Sequence, residues 1–185
     1  MRLVIMVMWL LLPTGVLAQT LLHAASDVAF QKDLYLKSSE KSIEGGTPVD
    51  GKTFTLNKGG KILGTFIAGS GFNAQDESVC FVGWSKEKPV ITTVIPTIGY
   101  DAWEAEKCNK TKSVGIISGA NNSDTKIAVI YEASSPNAIV DETLVFSVAN
   151  STSTRDLELD KELTNKMGSS GAKTISELKA KYLNK

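Results

Sequence analysis

The sequence predicts an α+β protein: mainly an antiparallel β-sandwich or open barrel of about seven or eight strands, with a short N-terminal helix and a C-terminal helical hairpin. Two observations support this prediction. Most of the chain consists of short runs of β-branched and aromatic residues separated by Gly, Pro, Asn and Ser. After Asn150 the composition changes to polar segments whose apolar residues recur at helical spacing.

The stretch over residues 125–148 is the clearest strand pair in the chain. Two apolar runs flank Ser-Ser-Pro-Asn at residues 134–137, a composition typical of a turn. In the first run Ile127 and Val129 alternate with Ala128 and Ile130, and the second run is apolar in the same way. Both faces of this hairpin are therefore apolar, and each needs a covering layer.

The elements before this hairpin follow from periodicity and turn residues. Apolar residues at helical spacing predict a helix over residues 20–31, and alternation predicts a strand over residues 33–37. The polar stretch over residues 38–52 predicts a surface loop. Further strands are expected from β-rich runs at residues 53–57, 61–68, 78–84, 90–95 and 114–117, with loops at residues 69–77 and 97–113.

Two segments near the end of the chain predict the helical hairpin, which begins at about residue 155. In the second segment, Thr174 followed by Glu177 matches the pattern of a capping box. Ile175 and Leu178 then follow at helical spacing. We expect this hairpin to lie on the open face of the sheet.

The first residues have the layout of a secretory signal peptide. A single Arg precedes an apolar run over residues 3–12, a Pro-Thr-Gly break follows, and small residues precede Gln19. This run is too short for a transmembrane helix, which needs roughly 20 residues. We therefore expect residues 1–18 to be removed and residues 19–185 to form a single secreted β-rich domain, periplasmic in a Gram-negative bacterium and extracellular otherwise.

Cys80 and Cys108 are the two cysteines of the chain. In the oxidising compartment that a signal peptide implies, they are expected to form one disulfide. Their spacing differs from that of a CxxC redox pair, and two free thiols are the alternative. The disulfide is expected to pin the intervening polar and aromatic stretch onto the sheet.

Charge and residue counts exclude several classes of function. The chain has 20 acidic and 20 basic residues, or 19 basic once Arg2 is removed, so it lacks the basic excess that binding to nucleic acid requires.

His23 is the only histidine of the chain. A catalytic triad would therefore have to use His23 as its base, and zinc sites built on two imidazoles are excluded. Residues 46–53 match a phosphate-binding pattern by chance, because β-like sequence follows where a helix is required. We predict no cofactor and no metal.

A group of acidic residues leaves a catalytic alternative open. Asp101, Glu104 and Glu106 lie beside Tyr100 and Trp103, and glycosidases combine paired acids in this way. A carboxylate-dependent glycan hydrolase is therefore one hypothesis. Calcium binding through the same oxygens and an ordinary surface loop are the others.

The favoured prediction is a non-enzymatic exported binding protein, either an inhibitor or a toxin-immunity protein, that acts by occupying a protein partner. Its contact surface is expected in the loops over residues 38–52, 69–77 and 97–113. The predicted partner-binding residues are Phe72, Tyr100, Asp101, Trp103, Glu104 and Glu106. An envelope or surface assembly component that acts by strand addition is a further alternative.

Overall fold

A computed structural model of the chain describes residues 19–149, 156–168 and 170–184. The predicted signal peptide over residues 1–18 lies outside these ranges. The described residues form nine strands in two antiparallel sheets, with helices on the outer face of each sheet. The predicted α+β sandwich is confirmed. None of the helices in the described ranges has the length and apolar character needed to cross a bilayer.

The N-terminal sheet contains five strands, each paired with its neighbour in chain order. They are β1 (Thr20–Ala24), β2 (Glu44–Lys58), β3 (Lys61–Phe72), β4 (Ser78–Ser85) and β5 (Thr93–Pro96). The predicted hairpin after residue 53 is confirmed as the pairing of β2 with β3, which turns at Gly59 and Gly60. Both glycines have positive φ, as the tight turn requires.

The C-terminal sheet contains four strands, also in chain order. They are β6 (Lys107–Ile116), β7 (Asp124–Ser135), β8 (Ala138–Ala149) and β9 (Leu157–Leu159). The predicted central hairpin is β7 with β8, paired without a break from Asp124 opposite Ala149 to Ser135 opposite Ala138. Pro136 and Asn137 form the two-residue connection, so the predicted turn is confirmed.

The main core lies between the two sheets. Strand alternation sends Phe66 and Trp84 inward from the N-terminal sheet and Tyr131 and Phe146 inward from the C-terminal sheet, and all four are completely buried. The rings of Phe66 and Phe146 meet edge to face, with centroids 5.8 Å apart. Trp84 is therefore a core residue. Glycine is required at position 64 on the neighbouring strand β3, because a Cβ there would collide with the indole.

Helix α1 (Gln31–Ser39) covers the outer face of the N-terminal sheet. Leu34 on this helix and Phe30, which immediately precedes it, pack with Ile67 and Phe81 in a second buried cluster. Ile67 points outward and its neighbour Phe66 inward, so this sheet, like the central hairpin, is apolar on both faces.

Helices α2 (Lys161–Gly168) and α3 (Ile175–Leu183) cover the outer face of the C-terminal sheet. Leu163, Met167 and Leu178 pack on Ile130 and Val145 there. The predicted helical hairpin on the open face is thus confirmed.

The capping box at the start of α3 is formed. The Thr174 side chain accepts a hydrogen bond from the Glu177 N–H at 3.2 Å, while the Glu177 carboxylate accepts one from the Lys173 N–H at 2.8 Å. The first bond satisfies a backbone donor that has no partner within the helix. The second holds the residue before the N-cap, one position earlier than in the standard capping box.

Several element predictions near the N-terminus were wrong. Residues 20–31 are not a helix: Thr20–Ala24 pair with β2 as an edge strand, and Leu21 is half-exposed. Residues 33–37 are not a strand but lie inside α1. In both segments the spacing of the apolar residues is compatible with a helix or a strand. Contacts with residues distant in sequence determine which of the two forms.

Four predicted loops or helices are strands in part, for the same reason. Residues 44–52 belong to β2, 69–72 to β3, 107–113 to β6, and Leu157–Leu159 to β9. Each of these segments pairs with a strand that lies elsewhere in the sequence. A polar or glycine-rich segment is recruited into a sheet when a partner edge is available, and its own composition does not show this.

Asp160 fastens α2 to the C-terminal sheet. One carboxylate oxygen accepts a hydrogen bond from the Leu163 N–H at 2.9 Å, and the other accepts hydrogen bonds from Lys126 Nζ at 3.0 Å and Ser147 Oγ at 3.1 Å. Partial burial would raise the pKa of Asp160, but these donors and the charge of Lys126 outweigh it and hold the pKa below its ordinary value.

We predict that Asp160→Ala lowers the free energy of unfolding by about 2 kcal/mol, since it removes the helix cap and leaves the largely buried Lys126 ammonium without its main partner. Asp124→Ala is the matched control, because Asp124 lies 3.6 Å from the same Lys126 but is more exposed, and it should cost less than about 0.5 kcal/mol. Chemical denaturation measures both variants. Equal losses would contradict this role for Asp160.

Asp160→Asn isolates the charge, because Asn also caps helices. A carboxyl whose pKa is lowered by folding contributes stability above its unfolded pKa and loses it as the pH falls through the folded pKa. The stability difference between the unmodified protein and Asp160→Asn should therefore be largest near neutral pH and shrink in acid. Denaturation curves over this pH range test it, and a difference independent of pH would contradict the prediction.

Candidate functional site

Three connecting segments meet at one end of the N-terminal sheet and line a cleft of ≈ 570 Å³, which we call the loop cleft. The segments are the α1–β2 connection, the β3–β4 loop over residues 73–77, and the β5–β6 connection over residues 97–106. The lining residues are Ser42, Asn73, Ala74, Gln75, Glu77, Gly99, Tyr100, Asp101 and Glu104. Each of the three segments belongs to one of the predicted contact loops.

Asn73 organises the β3–β4 loop. Its side-chain oxygen accepts hydrogen bonds from the N–H groups of Gln75 and Glu77, both at 3.0 Å. Its own N–H donates to the Glu77 carbonyl at 3.0 Å and closes the loop. This is the Asx-turn behaviour for which asparagine is favoured in loops, and it gives the segment a defined shape.

The β5–β6 connection is anchored at both ends to Cys80 on β4. At its start, the Thr97 hydroxyl donates to the Cys80 carbonyl at 2.7 Å and the Cys80 N–H donates to the Ile98 carbonyl at 3.0 Å. At its end, Cys108 forms the predicted disulfide with Cys80, with 5.7 Å between the Cα atoms. The intervening residues are thus held by hydrogen bonds on one side and a covalent bond on the other.

Between these anchors the connection turns tightly around a 3₁₀ helix, Asp101–Trp103. Gly99 has a φ of +96°, and a Cβ at this position would collide with Val79, so glycine is required for both reasons. The Gly99 N–H donates to the Trp103 carbonyl at 3.0 Å and closes the turn.

Tyr100 links two of the three segments. Its hydroxyl donates a hydrogen bond to the Ser42 carbonyl at 3.1 Å, and its ring packs against the cluster beneath α1. Partial burial raises the pKa of the Tyr100 phenol above its ordinary value. The hydroxyl therefore stays protonated and able to donate at neutral pH.

The surface around the loop cleft is acidic. Glu77, Asp101 and Glu104 line it, and Asp76 lies on the same β3–β4 loop. Lys107 offsets part of this charge through an ion pair with Glu77 at 3.0 Å. The side chains of Asp101 and Glu104 are exposed, so their charges face solvent at the mouth of the cleft.

The structure brings together three of the six predicted partner-binding residues: Tyr100, Asp101 and Glu104. Phe72 lies at the end of β3, where it is 45% exposed and lines a different cavity at the mouth of the sandwich. Trp103 and Glu106 face the C-terminal sheet and do not line the loop cleft.

Trp103 and Glu106 both approach Glu142 on β8. The Trp103 indole packs on the edge of the inter-sheet core, and its Nε1–H donates to the Glu142 carboxylate at 3.4 Å. One carboxylate oxygen of Glu106 is buried without a hydrogen-bond partner among the described residues. This burial, together with the negative charge of Glu142, raises the pKa of Glu106.

No known protein family, curated protein or solved structure matches this chain. Within the described ranges, no group of three or more His, Cys, Asp or Glu side chains is arranged to hold a metal ion.

Sequence reasoning missed Ser42, Asn73 and Glu142 as parts of this region. Asn73 carries a signal that could have been used, because an Asn followed by small and polar residues between two strands is typical of an Asx turn. Ser42 contributes a backbone carbonyl, which any residue type would supply. Glu142 reaches Trp103 only through the stacking of the two sheets, so no local pattern marks it.

We predict that Glu106→Gln stabilises the protein at neutral pH and leaves its stability in acid nearly unchanged. A carboxyl whose pKa is raised by folding opposes folding when it ionises, so stability falls as the pH rises from its ordinary value of 4.5 through the raised folded value. Because glutamine does not ionise, the variant should not show this fall in stability. Thermal unfolding over a pH series measures it, with Glu104→Gln as the exposed control in the same connection. An equal response of both variants would contradict the prediction.

We also predict that the double variant Cys80→Ala and Cys108→Ala loses about 3 to 4 kcal/mol of unfolding free energy, on the chain-entropy model for a loop of 28 residues. Core amides that exchange through global unfolding should lose protection by the same amount, while residues 97–106 should in addition exchange through local opening. Unchanged local protection of residues 97–106 would contradict a role for the disulfide in shaping the loop cleft.

Proposed function

We propose that this protein is an exported binding protein that acts by occupying a protein partner outside the cytoplasm, as an enzyme inhibitor or a toxin-immunity protein does. The observation that supports the proposal is the convergence of the three predicted contact loops on one cleft, lined by Tyr100, Asp101 and Glu104. Binding residues are often carried on loops that a rigid scaffold positions.

The loop cleft is preorganised, which favours tight binding. Its segments are held by the Asn73 hydrogen bonds, the Tyr100–Ser42 hydrogen bond and the disulfide. A partner that docks here does not have to order these loops, and the entropy cost of ordering would otherwise reduce the affinity.

The charge around the cleft indicates the kind of partner. Asp76, Glu77, Asp101 and Glu104 outnumber Lys107, the basic residue paired with Glu77. A basic patch on the partner would complement this surface and would accelerate association through electrostatic steering. We therefore propose a partner with an exposed cluster of Lys or Arg residues.

The proposed location outside the cytoplasm is supported by the Cys80–Cys108 disulfide, since structural disulfides persist in oxidising compartments. The signal-peptide pattern in residues 1–18 supports the same location.

A glycan hydrolase is the second candidate. It is supported by Asp101 and Glu104, two carboxylates that line the same cleft beside Tyr100. Glu106, the third predicted acid, faces Glu142 instead and would take no part in this chemistry.

We predict that the double variant Asp101→Asn and Glu104→Gln captures much less partner from an envelope or culture extract than the unmodified chain does. Its association rate should fall about tenfold, and the rate should lose most of its dependence on salt. The matched control is Glu87→Gln with Glu158→Gln, which removes two exposed charges away from the cleft.

Two outcomes of this experiment contradict the binding proposal. One is undiminished capture by the cleft variant. The other is release of reducing sugars from cell-wall or extracellular glycans by the unmodified chain, with loss of turnover but not of fold in Glu104→Gln, which would support the hydrolase instead.

A further inference from the structure

The outer edge of β2 is covered along only part of its length. Strand β1 pairs with residues 54–58, and the Ala25 N–H extends the pairing by donating to the Thr53 carbonyl at 2.9 Å. The Asp27 carboxylate then accepts a hydrogen bond from the Gly51 N–H at 3.1 Å. Over residues 44–50, β2 pairs with β3 on its inner side at Glu44, Thr47 and Pro48, with register shifts before and after the last two pairs. No strand among the described residues lies on the outer side of this segment.

On the helix side of this open edge lies a groove of ≈ 590 Å³ between α1 and β2. Val28, Tyr35 and Leu36 form its apolar wall and are 78%, 52% and 52% exposed. Gly46 forms part of its floor, where α1 lies so close to the strand that a Cβ would collide with Ser38. Large apolar side chains grouped on a surface in this way mark an interaction site.

On the opposite side of the same edge lies the cavity at the mouth of the sandwich, with a volume of ≈ 270 Å³. Val49 and Phe72 supply apolar walls, and Ser70 and the disulfide lie deeper. Thr47 lines both this cavity and the groove beside α1, as does Gly45. The open segment of β2 therefore borders both cavities.

We propose that residues 44–50 of β2 accept an extended peptide as an added strand. Successive side chains of a strand point to opposite faces of its sheet. A peptide paired with this edge would therefore place alternate side chains in the groove beside α1 and in the cavity at the mouth of the sandwich. Main-chain hydrogen bonds would supply affinity, and the two cavities would supply specificity.

The charges of the two cavities define the chemistry of the peptide. Among the described residues, Lys32 is the charged residue that lines the groove, and Lys110 is the charged residue that lines the cavity at the mouth of the sandwich. Lys110 already forms an ion pair with Glu132 at 3.2 Å. Lys32 should therefore have the larger effect on which peptide charge is preferred. The peptide should therefore present apolar side chains and a carboxylate that reaches Lys32.

The shape of the edge favours a short peptide over a second copy of this chain. Register shifts flank the Thr47 and Pro48 pairs with β3, and Gly45 has a positive φ. Bulges and proline twist an edge and hinder its pairing with another long, flat strand. A flexible peptide can follow such an edge over a few residues.

This site is separate from the loop cleft, so the two proposals can fail independently. The probe is a random peptide library displayed on phage and selected on the immobilised mature chain. Peptides synthesised from the enriched sequences are then labelled, and their affinities are measured by fluorescence anisotropy. We expect sequences that alternate apolar residues and contain Asp or Glu, and N-methylation of alternate peptide bonds should abolish their binding.

Two variants locate the binding. Leu36→Glu places a charge in the apolar groove and should weaken binding about tenfold or more, and Lys32→Glu should weaken the acidic peptides in particular. Ile139→Glu is the control, because Ile139 is 70% exposed and lies on β8. Hydrogen exchange should show new protection of backbone N–H groups in residues 44–47, 49 and 50 when a peptide binds, since Pro48 has none.

Three outcomes overturn this proposal: a selection that enriches no sequence, peptides that bind Leu36→Glu and Lys32→Glu as tightly as the unmodified chain, and protection that falls on residues 73–77 and 97–106 instead of the β2 edge. The loop-cleft variants should leave peptide binding unchanged. The result of the partner-capture experiment with those variants therefore does not test peptide binding at the β2 edge.

Discussion

Strands β7 and β8 carry apolar side chains on both faces, and the molecule is layered so that both faces are buried. Tyr131 and Phe146 point into the space between the sheets, while Ile130 and Val145 point outward beneath α2 and α3. The N-terminal sheet has the same requirement, which α1 meets on its outer side. Because apolar surface exposed to water costs roughly 25 cal/mol per Å², the helices stabilise both sheets by covering these outer faces.

The four layers also determine which surfaces remain available for binding. The inner strands are covered above and below, so the exposed sites lie at the ends and edges of the sheets. At one end, the Cys80–Cys108 disulfide and the Asn73 and Tyr100 hydrogen bonds hold three loops around the loop cleft. At one edge, α1 overlies the sheet but no strand among the described residues pairs with the outer side of residues 44–50 of β2. Both proposed binding sites thus lie where the stacked layers leave an end or an edge of a sheet exposed.

Part of this arrangement could be predicted from local pattern. The hairpin of β7 and β8, the capping box at Thr174 and the disulfide were all predicted correctly, since each depends on residues whose chemistry is specific: alternating apolar side chains, a hydroxyl before an acid, and two thiols. The loops that form the cleft were also predicted as contact segments. The sequence did not predict that these loops converge on one cleft. It also did not predict that Glu106 and Trp103 lie apart from Asp101 and Glu104.

The sequence by itself determined that both faces of the central strands must be buried, that a β-sandwich or open barrel with helices meets this need, and that Cys80 and Cys108 join. The tertiary structure decided for the sandwich. Only the tertiary structure decided that residues 20–24 form a strand, that residues 33–37 are helical and that residues 44–52 join a sheet. The physical reason is that backbone pairing and burial depend on the partner surface as well as on the segment. A short segment whose apolar spacing suits two structures adopts the one that its distant neighbours stabilise.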